Sequence, residues 1–161
     1  VGLLGGWRNQ PLTPSRLTPE EHYTHISLWC LWGSPMIIGA PIERLDAFTL
    51  SLLSNDEVLE VNQDPLGRQA RRIEAPGGEL LVKELEDGAR AVGLFNPGGQ
   101  AATVVARWAD LGLAGPQQVR DLWRQRDLGI HPSELAAEVR PHGVVLVRAA
   151  PAPQASAPRR P

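Results

Sequence analysis

Asn62-Gln63-Asp64-Pro65-Leu66-Gly67-Arg68-Gln69 separates two stretches with different hydrophobic periods. From Thr18 to Gln63 the order is helix, short apolar run, helix. From about Ile73 to Val147, short alternating runs are separated by glycine turns. A period near 3.6 marks helices and a period of 2 marks strands, so the switch is a change of architecture. The octapeptide is the expected seam of an α/β plus all-β chain: an α/β portion over residues 1–64, then an antiparallel β-sandwich over residues 65–148.

Upstream of the seam, Thr18-Pro19-Glu20-Glu21 opens a helix. Thr18 can cap, Pro19 suits the first helical position, and Glu21 completes a capping box. The helix carries Tyr23, Ile26, Trp29 and Cys30 on one face, is apolar all round from Leu28 to Trp32, and ends at Gly33-Ser34-Pro35. Met36-Ile37-Ile38-Gly39, a short run between breakers, predicts a buried strand of parallel type. Leu45 to Leu53 predicts a second helix capped by Asp46, and Asn55-Asp56-Glu57 starts a third that runs through Val61. A buried parallel strand needs neighbours on both edges. Residues 1–64 are therefore expected to complete a sheet or barrel whose other strands lie upstream. The opening Val1-Gly2-Leu3-Leu4-Gly5-Gly6, like a strand end running into a loop, leads to the same expectation.

Downstream, Glu79 to Leu85 and Arg90 to Asn96 flank Glu86-Asp87-Gly88-Ala89, and Asp-Gly is a hairpin signal. Pro97-Gly98-Gly99 turns the chain into Ala101 to Trp108. Gln118 to Trp123, Ala137 to Val139 and Gly143 to Arg148 follow, giving the spacing of a β-sandwich. The Pro/Ala-rich residues 149–161 predict a disordered tail.

The chain has 161 residues and a net charge of -2, so no electrostatic footprint for nucleic acid or an anionic membrane is present. No apolar run approaches the roughly 20 residues of a membrane span. The single Cys30 sits in an apolar helical stretch and is expected to be a small buried hydrophobe.

Candidate chemistry is sparse. His22 and His25 lie three apart beside Glu21, a spacing that can place two imidazoles on one metal, but no third ligand follows by spacing, so no metal and no cofactor is expected. Asp46, Asp56, Glu57, Glu60, Asp64, Asp87, Asp110 and Asp127 each suit a cap, a turn or a solvated face. Glycoside hydrolysis needs two carboxyls facing each other across a bond, and the sequence pairs none of these. Ser27, Ser34 and Ser51 have no nucleophile-elbow context. Arg120, Arg124 and Arg126 lack the interleaved aromatics of single-strand binding, and Gly5-Gly6 and Gly98-Gly99 are not phosphate loops. Of Trp7, Trp29, Trp32, Trp108 and Trp123, the mid-helix Trp29 and Trp32 are expected in the core. Trp7, in a loop with Arg8 and Asn9, is the candidate for contact with a sugar face.

Several strings together resemble the α-galactosidase (melibiase) family of glycoside hydrolases. Leu17-Thr18-Pro19-Glu20-Glu21 with Thr24-His25-Ile26-Ser27-Leu28-Trp29 is similar to the helix after the seventh barrel strand. Pro35-Met36-Ile37-Ile38-Gly39 resembles the eighth strand. Leu52-Leu53-Ser54-Asn55-Asp56-Glu57-Val58 and Val61 through Gln69 resemble the last barrel helix and the exit to the C-terminal domain. Ala91 to Asn96, Val119 to Trp123 and Pro141 to Leu146 resemble pieces of that domain.

The resemblance implies the last helix, strand and helix of a (β/α)8 barrel followed by a β-sandwich. It also implies retaining hydrolysis of terminal α-linked galactose through two aspartates on earlier strands, so no catalytic residue is carried onto this chain. The implied partner is a galactoside substrate, and secretion or export to a periplasm is in keeping with the family. Ala40-Pro41 departs from the acidic or amide residue common after the eighth strand, which bears on substrate preference. The competing expectation is an autonomous, non-catalytic β-sandwich module that binds carbohydrate or a protein.

Overall fold

The computed structural model describes residues 4–5 and 13–153. The short strands β1 (Leu4–Gly5) and β2 (Thr13–Pro14) pair antiparallel ahead of helix α1 (Pro19–Leu31). Both halves of the expected capping box form: Thr18 Oγ accepts from the Glu21 N–H, and Glu21 accepts from the Thr18 N–H at 2.7 Å. Gly33, at φ +62°, ends α1, with the Ser34 N–H on the Trp29 carbonyl and the Gly33 N–H on that of Cys30. This is a Schellman motif, and it needs a residue that tolerates positive φ.

The expected buried strand at Met36–Ile38 does not form. Residues 34–39 have no regular structure, and Ile37 is 75% exposed. β-Branching favours an extended backbone, but regular strand structure also needs a ladder, and residues 36–38 are in none of the sheets formed by the described residues. A 3-10 turn, Ile42–Arg44, leads instead to α2 (Ala47–Leu53), capped by Asp46, and α3 (Asp56–Gln63), capped by Asn55.

Eight strands follow: β3 (Arg71–Ala75), β4 (Gly78–Glu84), β5 (Arg90–Phe95), β6 (Ala102–Arg107), β7 (Gln117–Asp121), β8 (Arg126–His131), β9 (Glu134–Val139) and β10 (Val144–Pro151). Six make an antiparallel sheet in the order β3-β4-β5-β10-β7-β8, and β6 pairs with β9 across from it. The final strand runs through Ala149, Ala150 and Pro151, so the expected tail gives up its first residues to the sheet, and residues 154–161 lie outside the described residues. Ala149 is fully buried against the sandwich core, which explains the extension.

Alternation on the large sheet feeds two cores. Leu80, Val82, Val92, Leu94, Val147 and Ala149 face β6–β9 and close over Trp108. Leu81, Leu85, Ala91, Phe95 and Leu146 face the opposite way and pack with Ile26, Cys30 and Leu31 of α1, Leu52 of α2, and Val58 and Val61 of α3. Helices and sheet thus share one core, and the octapeptide crosses between layers that touch. A sheet covered on both faces also explains why Leu80 to Lys83 is buried without interruption.

Candidate functional site

The octapeptide is a structural junction built from side-chain to backbone bonds. Asn62 donates to the carbonyls of Trp29 (3.2 Å) and Ser34 (2.9 Å), fixing the end of α1. Asp64 accepts from the Leu66 N–H at 3.1 Å and from the Glu86 N–H at 3.0 Å, tying the exit from α3 to the β4–β5 turn. The Ala70 N–H reaches the Leu31 carbonyl at 3.0 Å, and Arg68 pairs with Glu84. One layer out, Asn55 joins α3 to the Leu122 and Trp123 carbonyls, and Trp123 Nε1 donates to Ser27 Oγ at 2.9 Å.

Beside this junction lies a groove of about 550 Å³ between α1 and the rim formed by β3, β4, β5 and the β9–β10 turn. Helix α1 supplies Glu21, Thr24, Leu28 and Trp32, a stripe at spacings of three and four that places them on one face. The rim supplies the ion pair Arg72–Glu79, the ring of Phe95, Asn96-Pro97 and His142. Asn96 organises that rim: its Nδ2 donates to Gln100 (2.7 Å) and Val139 (3.0 Å) carbonyls, and its Oδ1 accepts from the Gly98 N–H. His142 stands at φ +55°, and Thr24 Oγ donates to its carbonyl at 2.8 Å. The backbone and hydroxyl bonds from Thr18 hold the Glu21 carboxyl below the usual carboxylate range, so it is ionised at neutral pH. An indole face, an apolar floor and fixed charged groups at the rim make a surface suited to binding.

The residues singled out in the sequence scatter. Trp7 lies outside the described residues. His22 packs edge-on against Phe48 with its ring buried, whereas His25 lies over Trp29, and burial pushes its pKa below the ordinary histidine value. Among the described residues no three His, Cys, Asp or Glu side chains are placed to hold a metal ion.

Asp46 caps α2, accepting from the Thr49 N–H at 2.6 Å. Glu57 is bidentate to Arg120, which Asp127 also approaches at 3.4 Å. Asp56 accepts from Gln125, and Asp87 takes the Ala89 N–H and pairs with Arg148. Glu60 and Asp110 are part of the solvated surface or its edge.

Trp32, expected in the core, is 43% exposed as the C-cap of α1, because the Schellman turn swings it out of the packed face. Trp29 is half-buried, and Trp108 is buried with Nε1 on the His131 carbonyl at 2.9 Å. The sequence reading missed the groove residues Arg72, Glu79 and His142. Nothing local marks them, since three separate strand ends and a helix must meet before they share a surface.

Comparison with known proteins places these features in context. Residues 76–149 match the family model for the alpha galactosidase C-terminal beta sandwich domain. Alpha-galactosidase 2 of Arabidopsis thaliana is 39% identical over 129 residues, covering 78% of this chain and 33% of that protein. The alpha-galactosidase of Cyamopsis tetragonoloba is 35% identical over 144 residues, covering 86% of this chain and 35% of its own length. The chain thus spans about a third of the curated relatives it matches.

Among solved structures, a GH27 β-L-arabinopyranosidase from Geobacillus stearothermophilus superposes with a TM-score of 0.83 at 32% identity, over 93% of this chain and 34% of that one. Alpha-galactosidase I from Mortierella vinacea superposes at 0.77 and 32% identity, over 83% of this chain and 36% of that one.

Proposed function

The chain belongs to the α-galactosidase (melibiase) family, matching the C-terminal part of its members, and from this premise we propose that it is the C-terminal piece of a retaining glycoside hydrolase acting on terminal α-linked galactose. In this reading α1, the run Met36–Gly39 and the pair α2–α3 are the last helix, strand and helix of a (β/α)8 barrel. Residues 65–148 are the β-sandwich, with its last strand continuing to Pro151. The nucleophilic and acid/base aspartates belong to earlier barrel strands, and the piece alone is inactive.

One observation carries this reading. Among the described residues the large exposed apolar side chains are Leu17, Trp32, Ile37, Ile42, Leu50, Leu66 and Ile130, and all but Ile130 precede Arg71, where the first sandwich strand begins. The sandwich has a finished surface and the helical layer does not. Large apolar side chains left exposed on one layer are stabilised when another body covers them. Ile37, Ile42 and Leu50, at 75%, 63% and 52%, lie on the segment that would be the eighth strand and its following helix, where barrel neighbours would sit.

The groove beside Trp32 favours a second reading, a carbohydrate-binding module without catalysis. One set of measurements separates the two. The purified 161-residue chain is assayed on an aryl α-galactoside and passed over immobilised galactose. Neither turnover nor retention is expected from the truncated hydrolase. Turnover overturns the claim that the piece is inactive, and retention without turnover favours the module. An open frame coding roughly 250 further residues ahead of the Val1 codon, about the length of a (β/α)8 barrel, is the matching genetic result.

A further inference from the structure

The chain has 15 arginines and a single lysine, and that lysine is buried. Lys83 lies on β4, on the sheet face turned toward the helices, and is 1% exposed. Its Nζ donates to the Val61 carbonyl of α3 at 2.5 Å and lies 3.4 Å from the Cys30 carbonyl of α1. Both carbonyls belong to the last turn of their helices, where backbone acceptors lack intrahelical donors and the dipole favours a cation.

The need at Val61 follows from the sequence. In a continuing helix its carbonyl would accept from the N–H four residues on. That residue is Pro65, which has no N–H. Val61 is 3% exposed, so water is a poor substitute. The Cys30 carbonyl, by contrast, already takes the Gly33 N–H at 3.1 Å. A lysine ammonium, a compact point charge with three rotatable donors, suits the two carbonyls that meet there. Asp64 and the Cys30 thiol are the titratable groups that act on the ammonium from α3 and α1, and burial lowers its pKa below the ordinary lysine value.

We propose that Lys83 is a latch, a buried side chain of the six-stranded sheet that reaches the last turns of both α1 and α3, so that its loss frees the two helix ends while the β-sandwich stays folded. This rests on side-chain geometry alone and stands whether or not the chain is part of a hydrolase.

Hydrogen exchange followed by mass spectrometry on the 161-residue chain tests it. In Lys83→Met, amides of residues 29–34 and 59–66 are expected to exchange at least tenfold faster. Those of β6 and β9 should stay within twofold of the parent chain. Equal acceleration everywhere, or none, overturns the latch.

If the variant does not fold, the parent chain decides, because its only other amine is the α-amine of Val1. Pulsed acylation at Lys83 should then proceed at the opening rate of the helix-end amides, faster than exchange in β6 and β9. Acylation only at the rate of global unfolding overturns the proposal.

Discussion

At the residue scale the helix–sheet interface holds two titratable groups whose pH dependences oppose each other. Burial pushes the Cys30 thiol up to about 12, with Lys83 acting against that rise. An unfolded thiol titrates near about 8.5. Between those values the unfolded chain has released the proton and the folded chain still holds it, so stability present below the lower value is lost as pH rises, by up to about 1.4 kcal/mol per unit. Lys83 has the opposite sign. Its folded pKa is lowered by burial, so just below the ordinary lysine value the unfolded chain binds the extra proton and stability rises with pH. Above about pH 10.4, where the unfolded lysine has also lost its proton, Cys30 alone acts and the urea midpoint of the parent chain is expected to fall as pH rises further. Cys30→Ala, less stable at pH 7 through its cavity, should show a shallower fall. Parallel curves would remove Cys30 from the account.

At the element scale, turns link the layers. The β3–β4 hairpin turns through Pro76-Gly77, and the Pro76 carbonyl accepts from the Val105 N–H of β6 at 3.2 Å. Gly77 sits at φ +80°, and a Cβ there would lie 2.0 Å from the Thr103 carbonyl oxygen. Gly88, at φ +85° in the β4–β5 turn, has nothing within 4 Å of that position. Gly88→Ala should therefore cost the left-handed strain alone, about 1–2 kcal/mol. Gly77→Ala adds a backbone clash that no rotamer relieves and should cost about 3 kcal/mol or more. Urea titration of the pair checks the contrast, and similar costs would mean that the turn shifts away from β6.

The sheet edges escaped the sequence reading for a related reason. β3 and β8, with Arg71-Arg72 and Arg126-Asp127, sit at the rims and are mostly solvated, so no apolar alternation announces them. Charged rims of this kind discourage edge-to-edge pairing. The central strands β4, β5, β7 and β10 were legible because burial writes itself into their residues.

At the scale of the whole molecule, the question is which residues fold together. The family model covers residues 76–149, but the helix-facing core of the large sheet includes Leu81, Leu85, Ala91, Phe95 and Leu146. A polypeptide of residues 70–153 would expose that face and the Lys83 ammonium together. It is expected to bind a hydrophobic dye and to self-associate, whereas residues 13–153 should unfold in one cooperative step. A monomeric 70–153 with an unchanged urea midpoint would show that the helices add nothing to the sandwich.

What the sequence alone determined is local. The Thr18 and Asp46 caps, the Gly33 stop, the Asp-Gly hairpin and the octapeptide at the change of period each depend on neighbours within about four residues, the range over which backbone and first-turn bonds act. Tertiary structure alone decided that Met36–Ile38 takes no regular strand form, that Trp32 turns outward, and that Lys83 reaches two helix ends. Those outcomes are set by which surfaces meet across long stretches of chain. Burial and a distant carbonyl's need for a donor belong to the assembled layers, so no local spacing encodes them.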